Sequence, residues 1–318
     1  MCTESTYSAR LFTGSFESAI YLLSSICAVP GNVSVIPSLN SNFAHHIAAG
    51  LEDGSVITGQ NNISHPSKPT AAVPVGPEPA ATPLSGTEHR RQPTETEEQD
   101  MVEDANLPGS LPTLRKPAIA FSKDDEEELP ARIERLWYIN PYGQEIRIPT
   151  NPRVIGALKE AGCIVYSIGS LFTSLIPSLV LRDVGEAIAS PAIRCKILIL
   201  NGTLDRETGP SSNPYTGLNF VATICNACAE SRGLPKPDPR TYYRYVTHVI
   251  YIEGPTCPKV DKIAFQTIGI ETMRLYGRKD EDGKGGRYDM KALEQALEAI
   301  IGRKDARGDK ARRNTLIT

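Results

Sequence analysis

A chain of 318 residues with 40% apolar content can form one large α/β domain or two smaller ones around a real core. A net charge of −3 and a sequence pI near 6.0 leave no nucleic-acid footprint, and no apolar run reaches the ~18 residues of a membrane span. Met1 to Gly14 lacks a basic stretch followed by an apolar one, so no signal peptide is read there, and seven scattered cysteines, an odd number, suit a reducing compartment; the expectation is a cytoplasmic protein without membrane or nucleic-acid partners.

The first predicted element is a helix. Ser15 can cap it. Phe16, Ala19, Ile20, Leu23, Ile26 and Cys27 share one face at helical spacing, and Pro30-Gly31 stops it. Asn32 to Pro37 reads as a strand. His45 to Gln60 reads as a hairpin turning at Glu52-Asp53-Gly54. His45 and His46 are adjacent, so on a strand they face opposite sides and pair poorly on one metal.

From Pro66 to Pro117 the composition changes to ten prolines among Thr, Glu and Ala, with few large apolar side chains. Such a stretch cannot bury enough surface to offset its ordering entropy. Ser67 to about Leu129 is therefore expected to be a disordered insertion. It ends in the acidic run Asp124 to Glu128, which solvation alone accounts for. The chain divides into an N-terminal part of the α/β domain (1–66), the insertion (67–130), the main α/β domain (131–302) and a flexible charged tail (303–318).

Order resumes at Arg132. Ile133 to Asn140 reads as a strand with Trp137 as its anchor. Asn151-Pro152 opens a helix that buries Val154, Ile155, Leu158 and Ala161, with Gly162 ending it. Strand Cys163–Ile168 follows, then a small-residue loop and a helix from about Leu175 to Ser190. Strand Cys195–Leu200 leads to a polar loop and a helix from about Thr216 to Arg232. Strand Thr247–Glu253 and a short strand near Glu271–Tyr276 come next. Asp289 caps a last helix burying Leu293, Ala296, Leu297, Ile300 and Ile301, closed by Gly302. Apolar strands alternating with amphipathic helices predict an α/β fold: a mostly parallel sheet with helices on both faces.

In such sheets ligands sit beyond the carboxyl ends of the strands, and two loops lie there. Gly169 to Ser174 joins a buried strand to a helix start. Its N–H groups and hydroxyls suit a phosphate or other anion. From spacing alone a tight turn with Ser174 as N-cap and Pro177 in the first turn is the better reading. The second loop runs from Asn201 to Pro210. Arg206 could pair with a phosphate, and Asp205 or Glu207 could hold Mg²⁺ through water. A polar loop satisfying its own backbone reads the same way. Taken together on one sheet edge, the two loops favour a ligand site.

Elsewhere the chemistry is sparse. Cys225-Asn226-Ala227-Cys228 is a lone CxxC inside an apolar helical pattern, so packed helix residues are the better reading than metal or redox work. No nucleophilic triad is arguable. His65 and His89 fall at or inside the insertion, and His248 opens a buried strand as a core residue. Glu253-Gly254-Pro255 reads as a turn.

The run Gly169-Ser170-Leu171-Phe172-Thr173-Ser174-Leu175-Ile176-Pro177-Ser178-Leu179 resembles the Gly-Ser-Leu-Tyr-Thr-Ser-x-x-Pro-Asn-Leu signature of the 2-phospho-L-lactate transferase (CofD-like) superfamily, which includes the bacterial gluconeogenesis factor. Gly14 to Ile20 resembles the family's central helix, Leu51 to Ile63 its hairpin, and Asn151 to Ala161 the helix before the signature. Asn201, followed by Asp205 to Gly209, loosely resembles its Asn-x-x-Thr-Gln-Pro-Gly-Glu-Thr loop. The resemblance spans roughly Arg10 to Tyr276, without the insertion. It implies a Rossmann-like fold and a transferase that moves a phospholactyl-type group from a guanosine diphosphate donor to a deazaflavin alcohol, with Mg²⁺ and loss of GMP. A regulatory branch of similar fold binds UDP-sugars. The family's Gly-Gly-Gly-Thr-Gly turn, its Asp-Asp-Gly-Gly-Ser-Ser-Gly segment and its Gly-Asp-x-Arg segment do not occur here, so the first strands and nucleotide loop are expected to be missing. Ile168 replaces the Pro-Gly that often precedes the signature.

The expected ligand is a phosphorylated small molecule or nucleotide. Gly169, Ser170, Thr173 and Ser174 would cradle its phosphate, and Asn201, Asp205 and Arg206 would contact ligand or metal. A non-catalytic nucleotide-sugar-binding regulatory protein and an inactive truncated chain are the alternatives; a homodimer is a further expectation.

Overall fold

The computed structural model describes residues 9–41, 45–64, 111, 114, 128–279 and 286–314, with 303–314 described by backbone alone. The insertion expected over 67–130 lies outside these residues, apart from Leu111, Leu114 and 128–130.

Helix α1 spans Phe16–Ile26, with the Ser15 hydroxyl accepting from Ser18 N–H as the sequence predicts. Its expected apolar face does not meet a core. Only Ala19 is buried, and Ile26 is 69% exposed. Its contacts to the rest of the chain include an ion pair of Glu17 with Arg153 at 2.9 Å and the Arg153 guanidinium 5.0 Å from the Tyr21 ring. The strand expected at Asn32 to Pro37 does not form. Val33 and Val35 stay exposed, because extended chain without a ladder partner gains neither hydrogen bonds nor burial.

Strands β1 (His46–Leu51) and β2 (Val56–Thr58) form the predicted hairpin, turning where Gly54 adopts φ +85°. A short helix α2 (Gln60–Ser64) follows. Strands β3 (Ile133–Ile139) and β4 (Glu145–Ile146) complete an antiparallel sheet in the order β2-β1-β3-β4. Trp137 lies half-buried across Gly50, where a Cβ would stand 3.1 Å from the indole. Helix α3 (Pro152–Glu160) starts at the predicted cap, Asn151, yet buries no residue. Ile155 and Leu158 only lean on the core, and the helix stops at Glu160 before Gly162.

Strands β5 (Cys163–Tyr166), β6 (Cys195–Ile199), β7 (His248–Ile252) and β8 (Glu271–Leu275) form a parallel sheet in sequential order. Their connections move one way, so right-handed crossovers stack the linking helices on one face. These are α4 (Ile176–Leu179), α5 (Val184–Ile188), α6 (Gly217–Ser231) and α7 (Lys262–Thr267). Leu198, Leu200, Val249 and Tyr251 share a core with Phe220, Val221, Ile224 and Cys225 of α6. After a hairpin of β9 (Gly277–Lys279) and β10 (Gly286–Tyr288), helix α8 (Met290–Asn314) covers the opposite face with Ala296 and Ile300 over Ile197, Ile199 and Ile250. Helices thus flank both faces of the parallel sheet, as expected. The hairpin and the Trp137 strand build their own antiparallel sheet, whose Ile47, Leu136 and Tyr138 press on the same helices from outside.

Two further boundaries and one burial differ from expectation. The helix after β5 is not continuous to Ser190: Asp183 at φ +68° separates α4 from α5. Helix α8 runs through Gly302, since one interior glycine costs only about 1 kcal/mol. Ile301 is exposed rather than buried. By contrast α6 matches its predicted bounds, with Thr216 and Asn219 forming a capping box. Its Cys225 and Cys228 are fully buried and burial pushes both thiols up, so they are inert packing. His248 is likewise buried, with Nδ1 2.7 Å from the Thr247 hydroxyl. No group of three metal-ligating side chains occurs among the described residues, and no helix there is long and apolar enough to cross a membrane.

Helices α5 and α6 touch through Gly185, where a Cβ would stand 1.9 Å from the Cys228 carbonyl oxygen, and the Ser231 hydroxyl bonds both Gly185 N–H and Leu181 C=O. Backbone cannot yield as a side chain can. Gly185→Ala should cost about 1–3 kcal/mol in urea unfolding; an unchanged midpoint would show the helices are not in this contact.

Candidate functional site at the carboxyl edge of the parallel sheet

Parallel pairing of β5 with β6 puts the loops that follow them side by side. The first loop runs from Ser167 into a π-helical turn, Leu171–Leu175, continuous with α4. The helix therefore starts four residues before the expected Leu175, and Ser174 lies inside it rather than capping it. Gly169 is required by space: a Cβ there would be 2.9 Å from the Ser174 Cβ. The Asn201 side-chain amide donates to Gly169 C=O at 3.2 Å and ties the two loops together.

The second loop contains a 3₁₀ turn, Arg206–Thr208. Asp205 caps it, its carboxylate accepting from Thr208 N–H and from the Thr208 hydroxyl at 2.7 Å. Arg206 reaches the other way and donates to the carbonyls of Asn62 and Ile63 at 2.7 and 3.0 Å, closing the end of α2. Glu207 is 2% exposed. One carboxylate oxygen accepts from Phe172 N–H at 2.9 Å and Thr173 N–H at 3.0 Å; the other accepts from the Thr173 hydroxyl at 2.5 Å. Burial pushes its carboxyl above the ordinary 4.5, aided by the charge of Asp205 and opposed by the Thr173 and Phe172 donors.

The seven residues predicted for the site divide accordingly. Asp205 and Arg206 are turned to structural duty, and Thr173 spends its N–H and hydroxyl on Glu207. The backbone of Gly169 and the amide of Asn201 hold each other. Ser174 is exposed and Ser170 half-buried, and their hydroxyls make no hydrogen bond among the described residues. Sequence reasoning considered Glu207 only as a Mg²⁺ ligand. Its role depends on a contact across 34 residues of sequence, which no local spacing encodes. With Asp205 and Glu207 both committed to donors of the chain itself, this loop does not fit Mg²⁺.

The hairpin β9–β10 lies against the start of the second loop. Gly286 N–H donates to Gly202 C=O at 3.1 Å, and a Cβ on Gly202 would be 1.8 Å from Gly286 oxygen. The Tyr288 hydroxyl donates to Leu200 C=O at 2.7 Å. Glu253 pairs with Arg274 at 2.8 Å beside its turn. Behind the signature, between β3 and α6, lies a cavity of about 360 Å³ floored by Phe172 and Ile176; at its rim Arg135 pairs with Glu230 and Lys236 with Glu134.

The family model described as 2-phospho-L-lactate transferase CofD matches residues 6–300. An uncharacterized protein of Saccharomyces cerevisiae is 36% identical over 283 residues, covering 84% of this chain and 62% of that protein. A putative gluconeogenesis factor of a Nostoc species is 36% identical over 86 residues, covering 26% of this chain and 17% of that protein. The chain thus spans under two-thirds of each relative's length. A crystal structure of a Bacillus halodurans protein superposes with a TM-score of 0.55 at 17% identity, over 93% of this chain and 70% of that one, a likeness of fold.

Two predictions separate structural from ligand-facing residues. Thr173→Val deprives a buried carboxylate of a donor and should cost about 1–3 kcal/mol in chemical unfolding. For Glu207 the raised carboxyl value means the folded chain holds its proton more tightly than the unfolded chain. Its contribution is full below 4.5 and is lost as pH rises through the raised value. The stability of the wild type relative to Glu207→Gln should therefore fall over that window and then level off; a flat difference would show that the carboxyl is not perturbed.

Proposed function

The chain belongs to the family of 2-phospho-L-lactate transferase CofD, and we propose that it carries the ligand-binding edge of a phosphate-handling transferase. The observation that supports this reading is the pair of unpartnered hydroxyls, Ser170 and Ser174, presented beside Gly169 where the parallel sheet ends. Their loop is fastened by Asn201 and Glu207, so the backbone that carries the hydroxyls is held in place. The ligand is a phosphorylated small molecule or nucleotide, whose oxygens would accept from these hydroxyls.

In its finer form the proposal is transfer of a phospholactyl-type group from a guanosine diphosphate donor. The acceptor hydroxyl oxygen attacks phosphorus, the bond to the GMP oxygen breaks, GMP leaves with the electron pair and the hydroxyl proton passes to solvent. A second reading, non-catalytic binding of a nucleotide sugar, is favoured by one observation: Asp205, Arg206 and Glu207 are all engaged by the chain itself. GMP release from a guanosine diphosphate donor decides for the first reading; ligand-induced thermal stabilisation without turnover decides for the second.

Both readings share the same binding loop. Ser170→Ala together with Ser174→Ala should weaken binding of the phosphorylated ligand by at least about tenfold in calorimetry, since a hydrogen bond to a charged group is worth about 1.5–3 kcal/mol. Unchanged affinity for GDP, for UDP-sugars and for inorganic phosphate would remove the loop from the site.

A further inference from the structure

Helix starts attract negative charge because their first N–H groups have no partner within the helix. The nine residues Leu171 to Leu179 form such a start directly after β5. Its inward-facing donors, Phe172 N–H, Thr173 N–H and the Thr173 hydroxyl, all end on Glu207. The turn carrying Glu207 is held on two further sides, by the Asp205–Thr208 capping box and by Arg206 on the carbonyls of α2. The side chain that fills the seat is itself 2% exposed.

We infer that Glu207, when ionised, is the resident anion of this helix start, occupying the seat at Phe172 and Thr173 whether or not a ligand is bound and confining any ligand phosphate to the hydroxyls of Ser170 and Ser174. The second half of that statement rests on the functional reading above; the first does not. Two anions cannot share one set of donors in a site shut off from water, where charges repel strongly. Glu207 is therefore a positioning residue: it touches no ligand, but its carboxylate draws the signature helix against the β6 loop and orients the open hydroxyls.

The test uses the full chain carrying Glu207→Ala, with formate and inorganic phosphate as probes. The variant should melt below the wild type, and millimolar formate should restore part of the difference, because the small carboxylate re-enters the vacated seat. The amide signals of Phe172 and Thr173 should move with formate in the variant and stay still in the wild type. Inorganic phosphate should move the same two amides in the variant, while in the wild type it moves Ser170 and Ser174. A folded variant that responds to no anion overturns the inference, as do wild-type Phe172 and Thr173 amides that shift when phosphate binds. Should Glu207→Ala fail to fold, the wild-type amides of Phe172 and Thr173 should still follow a single carboxyl titration that Glu207→Gln abolishes; no such titration is equally fatal. Formate rescue alongside wild-type indifference to every phosphate ligand would leave the resident anion standing and remove the functional reading alone.

Discussion

The bond between the Glu207 carboxylate and the N–H groups of Phe172 and Thr173 joins the two loops on which any ligand site here depends. Those loops come from neighbouring parallel strands, so the sheet brings them within reach. The sheet alone would leave the helix start after β5 with unpaired donors inside the protein, a cost of about 1–3 kcal/mol for each. A buried carboxylate with no partner would be costlier still. Each group solves the other's problem, and the joint result is a loop held in place beside the Ser170 and Ser174 hydroxyls.

The same loop also reaches the antiparallel sheet. Arg206 crosses to the end of α2, which follows β2 directly, and so binds the hairpin to the carboxyl edge of the parallel sheet. The Tyr138 hydroxyl on β3 donates to Pro177 C=O in α4, and the Tyr215 hydroxyl donates to Ile133 C=O at the start of β3. Helices α4 and α6 are thereby sandwiched between two sheets of different kinds. Their apolar residues are enclosed on both sides, which explains why Ile176, Phe220 and Ile224, and Phe172 of the turn leading into α4, are nearly inaccessible.

Elements whose identity rests on local signals were legible in the sequence. The Thr216 cap, the helical spacing and the apolar runs of β6 and β7 located the central helix and strands to within a residue or two. What failed were inferences about partners. The apolar stripe of α1 and the valines at 33 and 35 meet no covering surface among the described residues, a fact that no local periodicity contains. Gly302 signals a stop in the sequence, yet glycine only weakens a helix and α8 continues through it. In the site, the loops and their edge were legible from the strand pattern. The commitment of Thr173, Asp205, Arg206 and Glu207 to one another was not, because short-range motifs name donors and acceptors without saying which are already satisfied.

Soaking crystals with tungstate, a heavy phosphate mimic, and mapping its anomalous signal tests the central claim most directly. A peak is expected within hydrogen-bond distance of the Ser170 and Ser174 hydroxyls, with Glu207 still bonded to Phe172 and Thr173. A peak on the Phe172 and Thr173 N–H groups with Glu207 turned away, or one elsewhere on the molecule and none at this edge, would contradict it.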